Sequence, residues 1–86
     1  MFASIIIPHW NGRQHLADCL DALRAQSYRA FEVLLVDNGS TDGSQATVRA
    51  DYPEVRLIEL GENRGFTGAY NAGYAAARGD IIILLN

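Results

Sequence analysis

Four short apolar runs rich in β-branched residues, at 3–7, 31–36, 55–60 and 81–85, alternate along the chain with three segments of helical spacing. Strict alternation with short connections constrains a chain more than any composition does. Each strand must return beside another through a right-handed crossover, which gives a parallel sheet covered by helices. The first run, Ala3-Ser4-Ile5-Ile6-Ile7, is closed by Pro8 and suits a strand buried on both faces. Leu16, Cys19, Leu20 and Leu23 then recur at i, i+3, i+4 and i+7, which predicts a helix with one buried stripe, ending near Gln26. A second strand over 31–36 meets the turn-forming cluster Asp37-Asn38-Gly39-Ser40-Thr41-Asp42. Asp42 and Gln45 have the spacing of a capping box for a short second helix reaching about Asp51. After the third strand, the loop Gly61-Glu62-Asn63-Arg64-Gly65 leads into a third helix. Its expected buried side carries Phe66, Ala69, Tyr70, Gly73, Tyr74 and Ala77, and Gly79 stands at the expected C′ stop. The fold class is therefore α/β, βαβαβαβ, in three layers.

With 86 residues there is room for one small domain. The net charge is −3 and all seven basic residues are arginines scattered along the chain, so no basic cluster is present to neutralise a row of phosphates. Nucleic acid is not an expected partner. The absence of Lys removes Schiff-base chemistry and a P-loop lysine. A single cysteine forms no internal disulfide, and Cys19 on the first helix's apolar stripe reads as a buried, inert thiol. No apolar run approaches the roughly 20 residues of a spanning helix. A cytoplasmic domain is the expectation, and membrane association of a longer protein stays open.

In parallel α/β sheets ligands sit beyond the carboxyl ends of the strands, where strand order reverses. The residues to weigh are therefore those just after each strand. Pro8-His9-Trp10-Asn11-Gly12-Arg13 replaces the Gly-x-Gly-x-x-Gly turn of a dinucleotide-binding domain, and the glycines at 61, 65 and 68 follow the wrong strand for it. Paired acids of a phosphoacceptor domain are missing after the first strand, as is the phosphate-cradling loop of a flavodoxin-like one. Asp37 and Asn38 can read a pyrimidine's N3–H with a side-chain oxygen. Spacing alone favours the plainer role of shaping an Asx-turn and feeding the next helix. Trp10 can stack on a base or cover the sheet edge. His9 and His15, six apart across a turn, read as solvent-facing imidazoles rather than a metal pair. Gly68 and Gly73 each cost about 1 kcal/mol against Ala in a helix, which implies close approach of a ligand or of a neighbouring element. Asn63 and Asn71 flank that helix entry.

Four pieces in order resemble the amino-terminal half of the nucleotide-binding region of family 2 glycosyltransferases, which have the GT-A fold. They are Ser4-Ile5-Ile6-Ile7-Pro8-His9-Trp10-Asn11; Val36-Asp37-Asn38-Gly39-Ser40-Thr41-Asp42-Gly43-Ser44; Glu62-Asn63-Arg64-Gly65-Phe66 with Asn71-Ala72-Gly73; and Gly79-Asp80-Ile81 through to Asn86. The resemblance implies a Rossmann-like sheet of strand order 3-2-1-4. It also implies a donor-nucleotide site at Pro8, His9, Trp10, Asn11, Asp37, Asn38, Asn63, Gly68 and Asn71. Many relatives have a second Asp where Asn38 stands, and Asn keeps the acceptor oxygen while losing the charge. The Asp-Asn-Gly-Ser-Thr-Asp-Gly-Ser form, together with Asn-x-Gly-Phe, resembles rhamnosyltransferase-like members that use a deoxythymidine diphosphate sugar. The family resemblance as a whole implies a uridine- or deoxythymidine-type nucleotide-diphosphate sugar as partner, in cell-wall or polysaccharide biosynthesis. Asn86 falls on the first position of the family's Asp-x-Asp-like metal motif, so the resemblance implies residues 1–86 to be a partial domain cut inside the Mg²⁺ or Mn²⁺ site. The catalytic base would lie beyond it, and the chain alone would be inactive. A non-catalytic nucleotide-binding or assembly module is the competing reading. The apolar run Ile81, Ile82, Ile83, Leu84 and Leu85 is expected at a sheet edge, where self-association is the expectation.

Overall fold

The structure, a computed structural model, describes residues 1–85. Strand β1 (Ala3–His9) is followed by a 3₁₀ turn at Arg13–His15, α1 (Leu16–Arg24), β2 (Phe31–Asp37), α2 (Ser44–Asp51), β3 (Arg56–Glu59), α3 (Gly65–Ala76) and β4 (Ile81–Leu84). All pairings are parallel and the strand order is β3-β2-β1-β4, as the alternation and the resemblance together led one to expect.

The uninterrupted apolar run of β1 is explained by burial on both faces. Ile5 and Ile7 pack with Leu16, Leu20, Val33, Leu35, Val48, Tyr52 and Val55 under α1 and α2. Ile6 faces the opposite side with Val36 and Ala69 of α3. The alternation of side chains along a strand thus feeds two cores, one on each side of the sheet. Asn86, the expected metal position, lies outside the described residues.

Several expectations are corrected. Helix α1 ends at Arg24, because Ala25 closes it with N–H bonds to Asp21 and Leu23 carbonyls. Strand β3 covers Arg56–Glu59 only, since it pairs with β2 alone and Val55 is taken into the core instead. The second helix has no capping box: Asp42 Oδ1 accepts the Ser44 N–H at 3.0 Å, while Gln45 turns back to Asp37. In α3 the buried face is Ala69 and Gly73, with Phe66 and Tyr74 half exposed. The helix lies over β1 and β2, too close to the sheet for large side chains there. A Cβ at Gly73 would stand 2.5 Å from Ile6 Cγ2 and 3.1 Å from Val36 Cγ2. Gly79 is not the helix stop, since α3 ends at Ala76 and Ala77 is already extended. Its glycine is required elsewhere, because a Cβ would lie 2.7 Å from the Ser4 backbone nitrogen. Cys19 is half-buried against the α1 side of the core, and burial pushes its thiol pKa up.

A polar clamp at the amino ends of the strands holds the α3 to β4 crossover. Ser4, fully buried, donates to Glu32 at 2.6 Å and accepts the Gly79 N–H at 2.8 Å. Glu32 also takes Arg56 at 2.8 Å and the Arg78 N–H at 2.7 Å. Burial raises the Glu32 carboxyl pKa, but the bonds from Ser4, Arg78 and Arg56 outweigh it and leave the group below its ordinary range. Among the described residues, no buried side-chain nitrogen or oxygen lacks a partner. No described helix is long and apolar enough to cross a membrane.

Candidate nucleotide site

Parallel pairing from Ala3 against Phe31 to His9 against Asp37 brings the ends of β1 and β2 out side by side at the carboxyl edge. The two loops that follow are stitched together. Asn38 N–H donates to the His9 carbonyl at 2.8 Å, and Asn11 N–H donates to Ser40 Oγ at 2.9 Å. Thr41 N–H returns to Asn11 Oδ1 at 2.7 Å, and Arg13 N–H reaches Asp42 Oδ2 at 2.9 Å. Asn11 adopts φ 48°, a left-handed conformation that Asn tolerates better than most side chains.

Asp37 and Asn38, adjacent in sequence, part company in space. Asp37 is 1% exposed and its carboxylate serves the turn: Ser40 N–H and Oγ donate at 2.9 and 2.6 Å, and Gln45 Nε2 at 2.8 Å. Asn38 reaches across to the loop before α3, accepting the Arg64 N–H at 3.1 Å and donating to the Gly65 carbonyl at 3.1 Å. Gly39 (φ +80°), the residue after Asn38, passes so close to Glu62 that a Cβ would meet its backbone at 3.0 Å. The β3–α3 loop is thereby held against the β2 end.

These attachments shape a cleft of about 300 Å³ lined by Pro8, His9, Trp10, Asn38, Asn63, Gly65 and Phe66. Trp10 and Phe66 are 56% and 50% exposed, large apolar rings with free surface at the cleft. Asn63 shapes the wall by accepting the Gly65 N–H at 2.8 Å. Of the nine expected residues, the fold gathers Pro8, His9, Trp10, Asn38 and Asn63 at this cleft. Asn11 and Asp37 stand behind it as loop fasteners. Asn71 is exposed further along α3, and Gly68 is explained by Arg64, whose Cβ would lie 2.6 Å from a Cβ placed there. Sequence reasoning missed Gly65 and Phe66. Helical spacing puts Phe66 on the buried side of α3, yet it sits in the first turn and is 50% exposed. Its position directly after a glycine at the strand-to-helix junction was the available signal.

His9 is not the solvent-facing imidazole expected. Its ring points to α2, where Nε2 lies 2.9 Å from Ser44 Oγ. The Ser44 hydroxyl is committed to Asp42 Oδ1 at 2.5 Å, so the network assigns the hydrogen of this bond to His9 Nε2. Burial pushes the His9 pKa below its ordinary value, against the pull of Asp37 and Asp42 and with a small addition from His15. His15 is exposed. Among the described residues, no group of three or more His, Cys, Asp or Glu side chains is arranged to hold a metal ion. The described part of the site therefore offers aromatic surface, amides and backbone groups, a set suited to a planar heterocycle.

Known proteins match this arrangement over nearly the whole chain. Glycosyltransferase AglE of Haloferax volcanii is 34% identical over 90 residues, which cover 99% of this chain and 30% of that protein. The undecaprenyl-phosphate 4-deoxy-4-formamido-L-arabinose transferase of Pseudomonas syringae pv. syringae is 41% identical over 93 residues, covering 99% and 27%. Among solved structures, the mannosyltransferase PcManGT from Pyrobaculum calidifontis in complex with GDP-Man and Mn²⁺ superposes with a TM-score of 0.84 at 32% identity, covering 93% of this chain and 25% of that one. TarS 1-349 of S. aureus in complex with UDP superposes with a TM-score of 0.89 at 26% identity, covering 99% and 27%. The chain thus spans under a third of the length of these relatives. Residues 4–86 match the model described as glycosyl transferase family 2, and the chain belongs to that family.

Proposed function

We propose that this chain supplies the donor-nucleotide contacts of an inverting glycosyltransferase that moves a sugar from a nucleotide-diphosphate sugar to an acceptor hydroxyl. The observation that carries the reading is the cleft at the carboxyl edge of β1 and β2, with Trp10 and Phe66 at its mouth and the Asn38 amide within it. An aromatic ring stacked on a base is worth about 1–3 kcal/mol, and both rings have free surface to offer. A uridine- or deoxythymidine-type base is the finer part of the proposal, supported by the acceptor oxygen of Asn38. In the reaction the acceptor oxygen bonds to the anomeric carbon as the bond to the diphosphate breaks. The nucleoside diphosphate leaves and the hydroxyl proton passes to a base. None of the described residues is assigned that base. A longer enzyme would use Mg²⁺ or Mn²⁺ at the diphosphate, and among the described residues no group of three or more His, Cys, Asp or Glu side chains is placed to hold it.

Isothermal titration of the folded chain with uridine and deoxythymidine diphosphates, with and without Mn²⁺, tests the proposal. Saturable binding that weakens about tenfold or more in Trp10→Ala is the expected result. Absence of binding by folded chain under both conditions rejects it.

A further inference from the structure

The chain holds two Asn-Gly pairs, Asn11-Gly12 and Asn38-Gly39, and the fold brings both to the carboxyl edge of the sheet. An asparagine before glycine is open to attack on its own side chain, because no Cβ screens the backbone nitrogen that follows. That nitrogen bonds to the side-chain carbonyl carbon, ammonia leaves, and water opens the resulting succinimide to aspartate or isoaspartate. The dipeptide is the same at both places, so the surroundings decide which of the two reacts.

Asn38 is held away from this chemistry. It is 5% exposed, Oδ1 accepts the Arg64 N–H at 3.1 Å, and Nδ2 donates to the Gly65 carbonyl at 3.1 Å. Swinging its carbonyl carbon over the Gly39 nitrogen breaks both bonds, and each net hydrogen bond lowers the reactive population by roughly two- to tenfold. Asp42-Gly43 would cyclise only as the protonated acid, and bonds from the Ser44 hydroxyl and the Arg13 N–H hold the Asp42 carboxyl below its ordinary range.

The surroundings of Asn11 act the other way. Asn11 is half-buried, and the Thr41 N–H donates at 2.7 Å to Oδ1, the oxygen on which charge builds when a nitrogen attacks Cγ. This bond leaves the amide nitrogen, the leaving group, out of the contact. Gly12 caps the 3₁₀ turn: its carbonyl accepts the His15 N–H at 2.9 Å, while its own N–H takes no part in the bonding of the turn. The His9 ring lies against Gly12, where a Cβ would stand 3.1 Å from Cε1 and 3.6 Å from Nδ1. With the hydrogen on Nε2 facing Ser44, Nδ1 keeps the lone pair that accepts a proton. Burial favours the uncharged imidazole, against the pull of Asp37 and Asp42 and with His15 adding to it.

We propose that Asn11 is a site of self-modification in the folded chain, its side chain cyclising onto the Gly12 nitrogen with the help of the Thr41 N–H and the His9 imidazole, while Asn38 is protected. The Gly12 proton passes to His9 Nδ1 as the nitrogen bonds to Asn11 Cγ. The bond from Cγ to Nδ2 then breaks, the proton returns to the departing nitrogen, and ammonia leaves. Water is the only other reactant. The product carries a carboxylate in place of an amide, and the isoaspartate form lengthens the main chain by a carbon, directly after the Pro8, His9 and Trp10 wall of the cleft. No nucleotide is needed for this chemistry.

The test incubates the whole chain at neutral pH, folded in buffer and unfolded in guanidinium chloride, with samples taken over time for trypsin digestion and mass spectrometry. Cleavage after arginine puts Asn11 in peptide 1–13 and Asn38 in peptide 30–49, so the two conversions are read separately, and fragment ions tell isoaspartate from aspartate. In the folded chain Asn11 is expected to convert at least about tenfold faster than Asn38, and no more slowly than it does unfolded. In the unfolded chain the two are expected to convert at similar rates. His9→Gln should slow the folded-state conversion of Asn11 by about tenfold or more and leave the unfolded rate unchanged. Asn38 converting as fast as Asn11 in the folded chain, or Asn11 converting more slowly folded than unfolded, overturns the proposal. A folded His9→Gln chain that converts at the wild-type rate overturns the part given to the imidazole. If that variant does not fold, the comparison of folded with unfolded wild-type chain decides whether Asn11 is the site.

Discussion

Replacing Gly73 by Ala sets two effects of known size against each other. Alanine improves helix propensity over glycine by about 1 kcal/mol, so a free-standing α3 would gain. In the folded chain the new methyl would lie 2.5 Å from Ile6 Cγ2 and 3.1 Å from Val36 Cγ2, against an ordinary carbon contact of roughly 3.5–4.0 Å. Both neighbours are fully buried on central strands and cannot swing aside into solvent. Relief requires α3 to withdraw from the sheet by about an ångström, or Ile6 to leave its rotamer. Overpacking of this kind costs about 1–3 kcal/mol. The upper part of that range applies, because two methyls on rigid strands must yield, and the net loss is about 1–2 kcal/mol. With a urea m-value of about 1 kcal/mol/M, the unfolding midpoint followed by far-ultraviolet circular dichroism should fall by about 1–2 M. Ala75→Gly, on the exposed side of the same helix, calibrates the propensity effect alone. A cycle with Ile6→Ala isolates the contact: the double variant should be less destabilised than the sum of the singles by about 1 kcal/mol, since the added methyl fills space that Ile6 vacates. A Gly73→Ala chain at least as stable as wild type would refute the close approach of α3 to the sheet.

Three further outcomes are expected. Asp37→Ala strands the Ser40 and Gln45 donors in a buried turn and should lower stability by about 1–3 kcal/mol in thermal or chemical unfolding, whereas an unchanged chain would show that the turn does not depend on this carboxylate. His9 has a folded-state pKa below 6.5, so the unfolded chain binds the extra proton first as pH falls. Its contribution to stability is therefore complete above pH 6.5 and is lost on acidification from there toward the lowered folded value. Melting curves across that window, compared with His9→Asn, should show the loss only in wild type, and a two-dimensional imidazole titration placing His9 above 6.5 would reverse the sign. At the β4 edge, Ile81, Ile83 and Leu84 are 42%, 43% and 39% exposed, with no charged side chain among residues 81–84. We propose that this edge pairs with that of a second copy: sedimentation should show concentration-dependent association abolished by Ile83→Lys, and a monomer at high concentration would sink the idea.

The layout of the fold was legible because it depends on short-range pattern. The runs at 3–7 and 31–36 are apolar at consecutive positions, which only burial on both faces explains, and the alternation with helical segments leaves a parallel sheet as the consistent answer. Positions whose role depends on a partner distant in sequence were not legible. The capping-box spacing of Asp42 and Gln45 was real, yet Gln45 found Asp37 because β2 delivers that carboxylate beneath α2. Gly79 had the look of a helix stop, while its actual constraint is the backbone of Ser4, 75 residues earlier in the chain. The stripe through Phe66 and Tyr74 followed helical periodicity, but periodicity does not say how much of a helix the sheet beneath will cover.

At the site, the amino-acid sequence by itself determined which residue types would arrive at the carboxyl edge, because strand ends and turn-forming residues are marked locally. It put Pro8, His9, Trp10, Asn11, Asp37, Asn38 and Asn63 at strand ends there, together with scattered arginines that suit no polyphosphate groove. Tertiary structure alone decided their division of labour. Asp37 and Asn38 project from consecutive positions at a strand end and therefore toward opposite sides of the sheet, one into the turn before α2 and the other to the loop before α3. Hydrogen bonding to a loop 26 residues away then fixes the amide of Asn38. That restriction arises from donors and acceptors brought together only when the third crossover packs against the second strand.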